Sequence, residues 1–132
     1  MKHKCKVWRI LMMTVAAALV AGCGTTNIKL GFQESERRGH WDLQYGTFTA
    51  REVHAFSADA GDTLVFDYKV KVDKGELALS VENPNGETIF DLILTQDERE
   101  TVRLPLDQGG RYTIVVDGRD TGGKTDLDWK VE

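Results

Sequence analysis

Few side chains in this 132-residue chain are of types that do chemistry, and their spacing decides most of the question. Nucleophilic catalysis needs a nucleophile, a base within hydrogen-bond reach and a group that orients the base. Beyond residue 22 the imidazoles are His40 and His54, and the serines are Ser35, Ser57 and Ser80. There is no Gly-x-Ser-x-Gly elbow, and Ser57, three residues after His54, falls on the opposite face of a strand holding both. The two histidines are 14 residues apart and neither belongs to a paired-ligand motif, so no metal centre is expected. Asp117, Asp120 and Asp126 lie on a glycine-rich segment of a kind that can wrap calcium. They stand at relative positions one, four and ten, not at the EF-hand positions, and Arg119 and Lys124 dilute their charge. An ordinary glycine-rich connection is the simpler reading.

The thiols leave one informative residue. Lys2, Lys4, Lys6 and Arg9 precede an uncharged stretch from Ile10 to Ala21, and Leu19-Val20-Ala21-Gly22 leads into Cys23. A basic start, a short apolar run and small residues at the cut are the parts of an export signal. Twelve residues including Thr14 are too few to span a bilayer, which takes about 20. With Cys23 at the junction, the segment resembles the lipobox of bacterial lipoproteins. That resemblance implies cleavage after Gly22 and a diacylglyceryl group on the Cys23 thiol, which becomes the new N-terminus. Covalent diacylglycerol and fatty acid on Cys23 are then the sole non-protein groups expected, with no other cofactor. One acyl chain holds a protein marginally, at ~0.8 kcal/mol per buried methylene, and two hold it stably.

Residues 1–22 as a signal, 23–27 as lipidated N-terminus and tether, and 28–132 as the domain complete the expected layout. Four free tether residues reach ~14 Å at most, which would keep the domain close to the bilayer. Cys5 leaves with the signal and Cys23 is consumed, so the domain has no disulfide and rests on its own core. Removing the signal takes four of the 17 basic residues and none of the 21 acidic ones, for a net charge of −8. That sign argues against nucleic acid. It argues equally against adhesion to anionic lipid, so the lipid must supply the attachment.

The elements that must position these residues read as strands. Leu64, Phe66, Tyr68, Val70 and Val72 alternate with Val65, Asp67, Lys69 and Lys71, the period of a strand with one face buried. Asp73-Lys74-Gly75 reads as a turn into Leu77, Leu79 and Val81, and Asn83-Pro84-Asn85-Gly86 as a strong turn. Thr88 to Leu94, more continuously apolar, reads as a central strand. Val102, Leu104 and Leu106 follow, then Tyr112, Ile114 and Val116, a loop from Asp117 to Lys124, and Leu127, Trp129 and Val131. Near the start, Ile28, Leu30 and Phe32 alternate, Glu34 to Gly39 reads as loop, and Trp41, Leu43 and Tyr45 precede a bend at Gly46. Strand starts recur every 11–13 residues and no helical period is sustained. The expected fold is all-β, a single antiparallel β-sandwich of seven to nine strands. Leu64, Phe66, Tyr68, Leu77, Leu79, Val81, Tyr112, Ile114, Val116, Leu127 and Trp129 should share its core.

From Phe56 through Ala60-Gly61-Asp62-Thr63, Leu77 to Gly86, Gly110 to Val116 and Leu127 to Val131, the succession is similar to GOLD-like and bacterial pre-peptidase C-terminal sandwiches. That resemblance implies a non-catalytic accessory or interaction module.

The function expected is therefore a lipid-anchored, extracytoplasmic, non-catalytic binding module of the bacterial envelope. It would sit at the cell membrane, or at the outer membrane of a two-membrane cell, with an envelope protein or glycan as partner. One alternative is a carbohydrate-binding module that uses exposed aromatics, for which Trp41 and Tyr45 are the candidate contacts. The other is a small envelope hydrolase or metal-dependent factor, against which the scarcity of histidine and the loss of both thiols count.

Overall fold

A computed structural model describes residues 27–132. The proposed signal and Cys23 lie outside the described residues. Seven strands follow one another: β1 (Ile28–Leu30), β2 (Gln33–Arg37), β3 (His40–Ala58), β4 (Thr63–Glu82), β5 (Thr88–Leu94), β6 (Glu98–Pro105) and β7 (Gly110–Val131). All pairings are antiparallel, in the order β1-β3-β7-β4-β5, with β2 also beside β3 and β6 also beside β4. This is the all-β sandwich expected.

Its layers are made in an unexpected way. β3, β4 and β7 run 19, 20 and 22 residues and each serves both layers. The rings of Trp41 and His54, 13 residues apart on β3, have centroids only 5.6 Å apart. An extended strand of that length would separate them by about 43 Å, so β3 folds over on itself. One layer holds β2, residues 40–45 of β3, 121–131 of β7, 63–72 of β4 and β6. The other holds residues 50–58 of β3, 110–118 of β7, 76–82 of β4 and β5.

The fold-over is written in a change of phase. On β4 the buried positions are Leu64, Phe66, Tyr68 and Val70, then Leu77, Leu79 and Val81. β3 changes likewise between Tyr45 and Phe48, and β7 between Val116 and Thr121. The ladder slips at the same places, between Tyr45 and Ala50 and between Val72 and Glu76. An extra residue there bends the strand and keeps its apolar side facing inward after the bend. Close approach at the corner requires glycine. A Cβ on Gly118 would lie 2.1 Å from a Phe48 ring carbon, and one on Gly123 (φ +140°) would lie 1.9 Å from the Lys71 carbonyl oxygen.

Three local readings are thereby corrected. Asp73-Lys74-Gly75 and Asp117 to Lys124 do not reverse the chain; they are corners within β4 and β7. Glu34 to Gly39 is largely strand β2, every residue of it exposed. Thr88 to Leu94 is an edge strand and not a central one, and Ile93 is 66% exposed. The turn at Asn83 to Gly86 is present, with the Asn83 side chain accepting from the Asn85 and Glu87 amides.

The core is a single cluster between the layers and contains all eleven residues expected there. Each fully buried Val, Leu, Ile or Phe in it contributes about 1.5–3 kcal/mol. Without disulfides, this cluster holds the domain.

Candidate functional site

Trp41 and Tyr45, the aromatics expected to face a ligand, face the core instead. Trp41 is fully buried and its indole N–H donates to Glu34 at 2.7 Å. Tyr45 is buried with its hydroxyl 2.9 Å from Thr125 Oγ1, and burial raises its pKa. Both alternate inward with Leu43, as their period demands, so neither ring offers a stacking face.

The aromatic surface that remains half open lies where the layers part beside the β2–β3 turn. A cleft of about 670 Å³ is lined there by Arg38, His54, Phe56, Ser57, Trp129 and Lys130. The imidazole of His54 is packed between Trp41 and Trp129, at 5.6 and 4.9 Å between centroids, and its Nδ1 contacts Glu36. Phe56 stacks on Tyr112 at 5.5 Å and 16°. The rings are thus fixed from behind, while Arg38 and Lys130 bring charged donors and Ser57 a hydroxyl to the rim. Rigid apolar faces with a few polar groups around them are the ordinary composition of a small-molecule site. Among the described residues no serine hydrogen-bonds to His54.

A second surface is the outer face of the first layer, where polar residues alternate with the buried ones. Registered across β3, β7 and β4 are His40–Asp128–Asp67 in one row and Asp42–Asp126–Lys69 in the next, with Arg99 of β6 opposite Lys69. In the following row Lys124 faces Lys71. Cross-strand neighbours normally carry opposite charges, because like charges directly opposite are destabilising. Here Asp42–Asp126, Asp67–Asp128, Lys69–Arg99 and Lys71–Lys124 are all in-register like pairs. The face is divided into an acidic half and a basic half.

The acidic half is under strain from its own charge. Asp42 has its pKa raised, first by a hydrogen bond with Asp126, then by burial and by the Asp126 charge. Its Oδ1 is buried with no hydrogen-bond partner. His40 Nδ1 lies 2.6 Å from Asp128. His40, Asp42 and Asp126 can each place one ligand atom within 4.8 Å of the others. That is one donor short of a closed tetrahedral set. The sequence did not show this grouping, since cross-strand register and not spacing along the chain creates it. Asp117 and Asp120 take no part: Asp117 pairs with Arg51 and Ala78 in the other layer.

No protein-family model matches the chain, and no curated protein does. Solved structures do match in fold. A CBM4 carbohydrate-binding module aligns with a TM-score of 0.50 at 14% identity, over 78% of this chain and 78% of that one. The structure of TmCBM61 in complex with β-1,4-galactotriose aligns equally well at 14% identity, over 77% and 88%. The enzymatically active domain of a bacteriophage CBA120 tailspike protein aligns at 0.53 and 11% identity, but this chain spans only 18% of that one. The likeness is one of fold, a two-layered β-sandwich of the kind these modules have. This overturns the expectation that the domain is a GOLD-like or pre-peptidase C-terminal sandwich; the signal and Cys23 lie outside the described residues. Turns and alternation converge among β-sandwiches, so they cannot tell one from another.

Proposed function

We propose that this domain is a non-catalytic module that binds carbohydrate in the cleft between its layers. The observation that carries the reading is the rigid wall of half-buried His54 and Phe56, backed by the buried ring of Trp129, beside Arg38, Ser57 and Lys130. A sugar ring presents an apolar C–H face to such a wall and hydroxyls to the donors at its rim. The fold shared with carbohydrate-binding modules supports it. Affinity electrophoresis against a panel of soluble polysaccharides tests the reading. Retardation by at least one polymer, abolished by Phe56→Ala, is the expected result; migration unaffected by every polymer overturns it.

The same proposal places the domain outside the cytoplasm, tethered to a membrane through lipid on Cys23. What supports this placement is the export-type pattern of residues 2–23. A tethered binding module would hold a glycan or a glycan-bearing partner at the membrane surface.

A further inference from the structure

The basic half of the outer sheet face has no role in the cleft. Lys69, Lys71, Arg99 and Lys124 line a groove of about 470 Å³, together with Val70, Asp97, Glu98 and Asp126. Two of the like-charged pairs described above are adjacent here, Lys69 opposite Arg99 and Lys71 opposite Lys124. Nearby carboxylates do not neutralise them fully. Lys124 lies 3.5 Å from Asp126 and 4.0 Å from Asp42, and Lys71 lies 3.8 Å from Asp73. Asp97 is engaged with the Val72 amide at 2.8 Å. Lys69 and Arg99 form no ion pair among the described residues. Four cations and three carboxylates thus share the groove, an excess of one positive charge on a domain whose net charge is −8, and the two like pairs carry a cost that an anion would relieve.

We propose that this groove binds the anionic groups of an acidic polysaccharide. The four cations span about 7 Å along the strands and about 10 Å across them, room for one or two acid groups. Directly beside them stand the carboxylates of Asp42, Asp67, Asp126 and Asp128, which accept hydrogen bonds but repel negative charge. A polymer with one acid group per sugar and hydroxyls between satisfies both halves: its acid sits on the basic half and its hydroxyls donate to the acidic half. A DNA strand, whose internal sugars carry no free hydroxyls, could set its phosphates on the basic half but would have no sugar hydroxyls to donate to the acidic half. The identity of the polymer rests on the carbohydrate reading, whereas the site itself does not depend on the cleft.

The test uses affinity electrophoresis of the full chain in gels containing polygalacturonate, dextran sulfate or neutral dextran, with a single-stranded DNA oligonucleotide as competitor. Expected is retardation by one or both acidic polymers and not by dextran, falling steeply between low and high salt. Polygalacturonate alone would assign a carboxylate, and dextran sulfate alone a sulfate ester. Lys71→Glu should weaken the retardation at least tenfold while melting at the same or a higher temperature, because it replaces a like pair by an opposite one with Lys124. Lys69→Gln with Arg99→Gln should do the same. Arg111→Gln, a cation outside the groove, should leave retardation unchanged. No retardation by either acidic polymer, equal loss in Arg111→Gln, or DNA competing as well as the acidic polysaccharide overturns the proposal. Phe56→Ala keeps the two sites apart: it should abolish cleft binding and leave salt-sensitive retardation intact.

Discussion

Gly118 lies so close to the ring of Phe48 that a Cβ added to it would come within 2.1 Å of a ring carbon. The two residues sit where β3 and β7 bend from one layer into the other, and both are buried. Phe48 also meets Tyr45 at 5.1 Å and Phe32 at 5.6 Å, so the ring has no room to yield. The corner is thus a packed joint, and the sandwich depends on it.

Gly118→Ala should therefore destabilise the domain by about 1–3 kcal/mol or more through overpacking. Gly61→Ala is the comparison, because open space surrounds Gly61 and only its φ of +91° opposes a side chain. Chemical denaturation of both variants measures the difference, and Gly118→Ala should be the less stable.

Asp42→Asn should stabilise the domain at neutral pH. The folded state raises the pKa of Asp42, through the hydrogen bond with Asp126 first and then through burial and the Asp126 charge. A raised carboxyl means that the folded chain holds the proton more tightly than the unfolded chain does. Its ionised form therefore costs stability above the folded pKa, and the cost disappears as pH falls through that value towards the ordinary 3.8. The gain from Asp42→Asn should be a few tenths to about 1 kcal/mol at pH 7, shrinking in acid. Thermal melts across pH 3.5–8 would show it, on an axis of about the carboxylate range.

Trp41 and Phe56 should separate stability from binding. Trp41→Ala removes a fully buried indole and should cost about 3–5 kcal/mol. Trp41→Phe, which keeps most of the packing, should leave carbohydrate affinity unchanged. Phe56→Ala should abolish measurable affinity for the cleft-bound polymer, with a smaller effect on the melt. Titration calorimetry with the polymer identified by electrophoresis reads both.

Cys23→Ser tests the proposed anchor. Without the thiol no thioether to diacylglycerol can form, and the domain has no basic excess to hold it on anionic lipid. The variant should leave the membrane fraction or persist as uncleaved precursor. Fractionation with metabolic fatty-acid labelling measures this; a cleaved, unlabelled variant that stays on the membrane would show that protein contacts hold it.

What the sequence determined is what depends on neighbours along the chain. Alternation at Leu64 to Val70, Leu77 to Val81 and Tyr112 to Val116 fixed which side chains enter the core, since a strand has only two faces. The same rule, applied strictly, would have buried Trp41 and Tyr45; their irregular surroundings suggested exposure, and packing decided otherwise. Only the tertiary structure could reveal that Asp73-Lys74-Gly75 and Asp117 to Lys124 are corners within continuous strands. A bulge and a turn draw on the same residues, and the ladder to a distant strand distinguishes them. The aromatic cleft brings His54 beside Trp129, 75 positions away, and the divided charge of the sheet face exists only through the registers of β3, β7, β4 and β6. A one-residue slip in any of those pairings would turn the face inside out, so no reading along a single strand could contain it.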